Sequence, residues 1–223
     1  MSTPKVIAVQ LATPNVDEFA KYSMANVSQY CRQHGYGHYV QRAHTVPDMH
    51  INWSKIDLLR HVFEQFAAAE YFILFDADII IQDFSKSVDF FLQKYADADT
   101  HILFSADTPL RLSLKARPNA GLIIIKNSAI GKQIIHRWME ASRTDGAQYN
   151  NTHPRNQLVY WNCVMPQFES YQKVLPRSYF VTPLYFFGKQ FMPTSFLYHL
   201  TQSDKSARAQ AVSYTHLRAP RDS

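Results

Sequence analysis

Two aspartates, Asp76 and Asp78, give the sequence its clearest chemical signal. Both directly follow five apolar residues, Tyr71 to Phe75 (YFILF), whose short and continuous apolar character predicts a parallel strand buried on both faces. Ligands bind at the carboxyl ends of such strands in open α/β sheets. Two neighbouring carboxylates repel each other unless a cation lies between them, and Mg²⁺ or Mn²⁺ provides one. The alternative is a solvated acidic turn, since Asp-x-Asp is a common tripeptide.

Hydrophobic periodicity predicts alternating strands and helices around this acidic pair. Gly35 is expected to end the first helix. Strands are predicted at 5–11, 38–42, 71–75, 101–105 and 121–126, with shorter pieces near Tyr179, Tyr185 and Leu197. Helices are predicted at 16–34, 53–69, 87–95, 129–142 and 156–163. This order predicts a three-layer α/β sheet in one domain.

Two classes of enzyme place Asp-x-Asp after a buried strand. In haloacid-dehalogenase phosphatases the first Asp, here Asp76, is a nucleophile, and the motif usually lies on the first strand with Thr or Val two residues further on. Here it follows roughly the third strand, and Ile80 occupies the later position. In GT-A glycosyltransferases the motif holds a metal on a nucleotide-sugar diphosphate. Chain position favours the second class, while a phosphatase and a non-catalytic sugar-nucleotide-binding domain remain alternatives.

Several segments, taken in order over about residues 5–200, resemble the family 34 glycosyltransferases, the galactosyl- and xylosyltransferase group, with features of family 8. Besides the acidic pair they are Trp53-Ser54-Lys55-Ile56, Pro118 to Ser128 (PNAGLIIIKNS), Asn156-Gln157 and Tyr198-His199-Leu200. The resemblance implies a GT-A, Rossmann-like α/β/α fold. It also implies transfer of a sugar from a nucleoside-diphosphate donor, with UDP expected, to a glycan or other hydroxyl acceptor, with retention of anomeric configuration.

The same resemblance implies a role for each of ten residues. Those implied for the metal, Mn²⁺ or Mg²⁺, are Asp76, Asp78 and His199. Those implied for donor binding are Thr13, Lys55, Asp76, Asn119, Ala120 and Gly121. Those implied for catalysis are Lys55, Asp107 and Gln157. Each role has a plain structural alternative. His199 could be a packed histidine, Lys55 a solvated helix lysine and Asp107 part of a capped turn. Gln157 could mark a helix start, and residues 119–121 could form a turn before a buried strand.

The chain departs from the family pattern at two positions. Asn156 stands where many relatives have an acid, so a carboxylate role is lost there. The Gly or Ala-Gly pattern that follows the late histidine is absent, because Leu200-Thr201-Gln202 follows His199.

The composition bears on whether the chain folds, whether it binds nucleic acid and in which compartment it works. The 223 residues are 46% hydrophobic and 18% charged, which favours a folded domain over a disordered chain. The net charge is +5, but the sequence contains no Lys/Arg-rich run, which argues against nucleic-acid binding. Cys31 and Cys163 fall in apolar helical contexts, as packing residues in a reducing compartment do.

The two ends of the chain add further expectations. The ending from Val212 to Ala219 resembles a translated sequencing adapter, and two of the five net charges lie in residues 202–223. We therefore expect a glycosyltransferase domain at 1–201 and a non-native or disordered tail at 202–223. With no apolar run of membrane-spanning length and no visible signal peptide, a cytoplasmic location is expected.

Overall fold

A computed structural model describes residues 3–107, 116–181, 184–186, 189–191 and 195–200. The strands are β1 (Val6–Leu11), β2 (Gly37–Gln41), β3 (Tyr71–Phe75), β4 (Ile79–Ile81), β5 (Ile102–Ala106), β6 (Pro118–Lys126), β7 (Gln172–Val174), β8 (Phe180–Val181), β9 (Leu184–Phe186), β10 (Lys189–Phe191) and β11 (Leu197–His199). The α-helices are α1 (Asp17–His34), α2 (Asn52–Gln65), α3 (Val88–Tyr95), α4 (Ala129–Ala141) and α5 (Asn156–Val159). The expected tail, residues 202–223, lies outside the described part of the chain.

Six strands form the main sheet in the spatial order β2-β1-β3-β6-β5-β7. Strand β1 pairs parallel with both β2 and β3, and β7 pairs parallel with β5. Strand β6 runs antiparallel between β3 and β5. The carboxyl ends of β1, β3 and β5 therefore meet the start of β6 at one edge of the sheet, where ligands of open α/β sheets bind.

Helices cover both faces of this sheet, which confirms the predicted three-layer α/β architecture. Alternate strand residues point to opposite faces because the side-chain period of a strand is two. Phe72 and Leu74 of β3 pack in one apolar cluster with residues of α2 and α4. Ile73 and Phe75 pack on the other face with residues of α1 and α3. YFILF is continuously apolar because both of its faces are buried.

Helix α1 ends where the sequence predicts. Gly35 adopts a left-handed conformation with φ of 67°, and its N–H lies near the carbonyl oxygens of Arg32 and Cys31. Glycine takes this conformation without the steric cost that a Cβ imposes.

Other elements differ from the prediction. Helix α2 ends at Gln65, four residues before the predicted end, since Phe66 leaves the helical conformation. The segment predicted as one helix at 156–163 is α-helical only to Val159 and continues as a π-helix over Tyr160–Val164. Strand β4 was not predicted, because three apolar residues are too short for a periodic pattern.

A second, three-stranded sheet lies beside the end of β3, in the order β4-β11-β8. Strand β11 is antiparallel to β4 and parallel to β8. Within it, His199 pairs with Ile79, the residue that follows Asp78. A segment from the far end of the described chain is thereby held against the acidic pair.

Candidate active site

The carboxyl end of β3 positions the two aspartates. The backbone N–H of Asp76 donates to the carbonyl oxygen of Gly121 at 2.9 Å, which continues the pairing of β3 with β6 one residue past the strand. The carbonyl oxygen of Asp78 accepts from the N–H of Leu200, also at 2.9 Å. Asp78 is buried, and the side chain of Asp76 is about one quarter exposed.

His199 completes a cluster with these acids. Its Nε2 lies 3.2 Å from Oδ1 of Asp78 and 3.6 Å from Oδ2 of Asp76. Burial alone would lower the pKa of His199, but the nearby carboxylates, Asp78 foremost, outweigh burial and raise that pKa above its usual value. The imidazole thus lies between two carboxylates that favour its protonated form.

The same three side chains fit a divalent cation. One ligand atom from each residue lies within 4.8 Å of the other two, so a single ion can reach all three. Two carboxylates and an imidazole suit Mn²⁺, and the carboxylates also suit Mg²⁺. The structure thus brings together the three residues predicted to bind metal.

Lys55 forms an ion pair with this cluster. It lies on the first turns of α2, is buried, and its Nζ lies 2.7 Å from Oδ1 of Asp76. The same ammonium donates to the carbonyl oxygen of Ala120 at 3.0 Å. Lys55 is therefore not the solvated helix lysine of the alternative interpretation.

All of the remaining predicted residues except Thr13 meet at the start of β6. The side-chain amide of Asn119 donates to Oδ1 of Asp107 at 2.9 Å and accepts from the N–H of Gly121 at 2.7 Å. The N–H of Ala120 donates to Oε1 of Gln157 at 2.8 Å. These bonds join residues from β6, the end of β5 and helix α5 into one connected network.

Gly121 lies at the closest approach in this network. A Cβ at this position would lie 2.8 Å from the ring of Phe180, 2.9 Å from Oδ1 of Asn119 and 3.1 Å from Cε1 of His199. A side chain here would therefore force Phe180, Asn119 or His199 to shift, which favours glycine at this position.

Thr13 follows β1 at the same edge of the sheet. Its hydroxyl donates to Oδ1 of Asn15 at the start of a short 3₁₀ helix, Pro14–Val16. Thr13 thus lies at the predicted edge of the sheet. Its contact with the nucleotide stays a prediction.

Gln10 and His38 carry no sequence motif, yet they lie behind the acidic pair. Gln10 is fully buried in β1, and its amide donates to the Ser23 hydroxyl at 3.0 Å and to the carbonyl oxygen of Asp76 at 3.4 Å. Nε2 of His38 lies 3.0 Å from Oε1 of Gln10. Burial lowers the pKa of His38 to about 4, so the imidazole stays neutral and donates to Gln10. The only available signal was a glutamine inside an apolar strand.

A tryptophan lines the same region from the π-helix. The indole N–H of Trp161 donates to the carbonyl oxygen of Pro118 at 2.8 Å. The guanidinium of Arg117 lies over its ring, 5.2 Å from the centroid. Trp161 follows Gln157 by four residues, so it also links the helical segment to the start of β6.

Comparisons with known proteins agree with this geometry. Among solved structures, a glycosyltransferase involved in the glycosylation of the major capsid of PBCV-1 superposes with a TM-score of 0.76 and 16% identity, over 95% of this chain and 100% of that one. The galactosyltransferase LgtC, in complex with donor and acceptor sugar analogues, gives 0.62 and 12% identity over 97% of each chain. Mouse xyloside xylosyltransferase 1 gives 0.57 and 8% identity, over 88% and 97%.

These likenesses show a GT-A fold, as predicted from the sequence. The search of curated proteins finds no match. No helix in the described part of the chain is both long and apolar enough to cross a lipid bilayer.

The family comparison decides between the enzyme classes. Residues 5–180 match the family 34 glycosyltransferase model, described as the galactosyl transferase GMA12/MNN10 family. The match covers the acidic pair, Lys55, Asn119 and Gln157, and it disfavours the phosphatase alternative. The predicted resemblance is confirmed: the chain is a glycosyltransferase that belongs to the galactosyl transferase GMA12/MNN10 family.

Proposed function

We propose that this glycosyltransferase takes its sugar from a UDP-linked donor in the presence of Mn²⁺ or Mg²⁺ and transfers it to a glycan or other hydroxyl with retention of anomeric configuration. The observation that carries the proposal is the largely buried cluster of Asp76, Asp78 and His199 at the carboxyl edge of the sheet. Such a cluster needs a cation, and a nucleoside diphosphate provides further oxygen ligands for one.

The metal would be held by Asp76, Asp78 and His199. When bound, it supplies positive charge that offsets the charge on the departing diphosphate. Lys55 contributes from the protein side, because its ammonium is fixed by Asp76 and the Ala120 carbonyl rather than free to turn into solvent. A preorganised charge of this kind stabilises a developing negative charge without further reorganisation.

The network at the start of β6 is proposed to bind the donor sugar. Asp107 and Asn119 offer carboxylate and amide groups to sugar hydroxyls, and their mutual hydrogen bond fixes both side chains. The backbone of Ala120 and Gly121 allows a sugar ring to approach closely. Gln157 is proposed to lie beside the anomeric carbon, held by its bond to the N–H of Ala120. Thr13 is proposed to contact the nucleoside.

Retention is supported by the chemistry of position 156. Asn156 is buried, its backbone carbonyl oxygen accepts from the Trp138 indole, and its side chain is an amide where many relatives have an acid. In a retaining transfer the departing diphosphate can accept the proton of the incoming hydroxyl, so a strong protein base is unnecessary.

A donor panel tests the proposal. The protein is incubated with UDP-glucose, UDP-galactose, UDP-xylose and GDP-mannose, with Mn²⁺, with Mg²⁺ or with a chelator, and nucleotide release is measured. Metal-dependent release of UDP from one sugar nucleotide is expected, and it would name the donor. Binding of the nucleotide without release from any donor would contradict the proposal in favour of a non-catalytic binding domain.

A further inference from the structure

Strand β6 contains a three-residue bulge at the edge where the candidate site lies. Toward β3 the pairing is continuous and ends with Phe75 opposite Leu122. Toward β5, Phe104 pairs with Ile123, but the next residue, Ser105, pairs with Asn119. Residues 120–122 of β6 are therefore extra on that side. Bulges beside active sites redirect backbone and side-chain groups from the regular ladder.

The bulge supplies the backbone groups to which the candidate site residues are attached. The N–H of Ala120 donates to Gln157, and its carbonyl oxygen accepts from Lys55. The N–H of Gly121 donates to the side chain of Asn119, and its carbonyl oxygen accepts from the N–H of Asp76. Both polar groups of both residues are thus bonded within the site, so a shift of the bulge would move all of these partners.

Ser105 lies at the base of the bulge and joins its two ends. Its side chain is fully buried on β5, with Oγ 3.2 Å from the carbonyl oxygen of Asn119 and 3.4 Å from that of Leu122. A hydroxyl carries one proton, so the two carbonyl oxygens share it. Asn119 directly precedes the bulge and Leu122 is its last residue, and burial of Ser105 keeps water from replacing the hydroxyl.

We propose that Ser105 is a positioning residue that fixes the β6 bulge and, through it, the donor-sugar part of the site. The hydroxyl of Ser105 bonds to backbone carbonyl oxygens of β6, so it acts on the site through the backbone of Ala120 and Gly121. This inference rests on the proposed function, because the sugar is the group whose placement the bulge would control.

The test compares Ser105→Ala with Ser142→Ala, in which another buried serine loses a hydroxyl that donates to the carbonyl of Met139 within α4. Hydrogen exchange at the amides of Ala120 and Gly121 reports the bulge directly and needs no donor. Exchange there should accelerate by about tenfold in Ser105→Ala and stay at the wild-type rate in Ser142→Ala. Equal exchange rates in the two variants would overturn the proposal.

Turnover and nucleotide binding test the consequence. With the donor found for the wild type, Ser105→Ala should lower kcat by about ten- to a hundredfold, the size of a misplaced reacting group, while affinity for UDP with Mn²⁺ changes by less than about threefold. Ser105→Cys replaces the hydroxyl by a thiol of similar size that is a weaker donor, so its kcat should lie between those of the wild type and Ser105→Ala. If the alanine variant does not fold, the cysteine variant provides the test.

The outcomes separate this inference from the proposed function. Turnover of Ser105→Ala equal to that of Ser142→Ala would overturn the role of Ser105 and leave the function intact. A parallel loss of UDP affinity would also overturn it, since the serine would then support the whole site. If the wild type releases no nucleotide from any donor, the proposed function fails, and amide exchange still decides whether Ser105 fixes the bulge.

Discussion

The ammonium of Lys55 lies 2.7 Å from Oδ1 of Asp76, so a buried lysine contacts one of the three candidate metal ligands directly. One carboxylate oxygen of Asp76 thus faces Lys55, and the other, Oδ2, lies 3.6 Å from Nε2 of His199. Because two aspartates, a lysine and a histidine share one largely buried cluster, removing any one of them changes the charge balance of the rest.

Lys55→Met should lower turnover by about a hundredfold, since a fixed charge beside the departing diphosphate is lost. The variant also leaves Asp76 without its ammonium partner, so the melting temperature should fall more in metal-free protein than with saturating Mn²⁺. Thermal unfolding with and without Mn²⁺ measures this difference. An equal fall of the melting temperature with and without Mn²⁺ would mean that Lys55 does not interact with the metal site.

His199→Ala should weaken Mn²⁺ binding by about tenfold or more, because one of the three proposed protein ligands is removed. Titration calorimetry or the Mn²⁺ electron paramagnetic resonance signal provides the affinity. His136→Ala, which removes an exposed histidine from α4, is the matched control and should bind Mn²⁺ as the wild type does. Unchanged affinity in His199→Ala would exclude His199 as a ligand.

Two glycine substitutions separate stability from function. Gly121→Ala places a Cβ 2.8 Å from Phe180 and 3.1 Å from His199, so stability should fall by about 1–3 kcal/mol and turnover should fall with it. Gly35→Ala strains a left-handed residue with open space around it and should cost about 1–2 kcal/mol with little change in turnover. Denaturant unfolding and donor turnover are measured for both. Wild-type turnover in Gly121→Ala would refute the steric account.

The hydrogen bond between Asn119 and Asp107 can be tested by exchanging the two side chains. Asn119→Asp alone brings two carboxylates together and should lower kcat/KM by about ten- to a hundredfold. Adding Asp107→Asn restores a donor and an acceptor in reversed positions, so the double variant should be more active and more stable than Asn119→Asp. Additive losses in this double-mutant cycle would mean that the two residues do not act together.

The sequence itself predicted the strand that carries Asp76 and Asp78, but it did not predict how distant segments pack against that strand. The run of apolar residues before Asp76 defines β3 because both faces of that strand are buried. His199 could be assigned only by resemblance, since its position depends on the pairing of β11 with β4 across more than a hundred residues. No local pattern encodes that pairing.

Ser105 and Gln10 illustrate a second limit. Each is one polar residue in an otherwise apolar strand, and its importance depends on which backbone groups lie opposite. The β6 bulge arises from a register shift between β5 and β6, which strand periodicity does not reveal. The end of α2 was misplaced for a related reason: Phe66 and Ala69 continue the apolar pattern, but the chain turns there to enter β3.

Metal-dependent donor cleavage by Asp78→Asn is the most direct test of the proposed mechanism. UDP release is measured across a Mn²⁺ titration for the wild type, for Asp78→Asn and for Asp48→Asn, which alters an exposed aspartate paired with Arg143. The account predicts release that requires metal in the wild type and in Asp48→Asn, and a loss of about a hundredfold or more in Asp78→Asn. Near-wild-type release by Asp78→Asn, or equal release in the presence of a chelator, would contradict it.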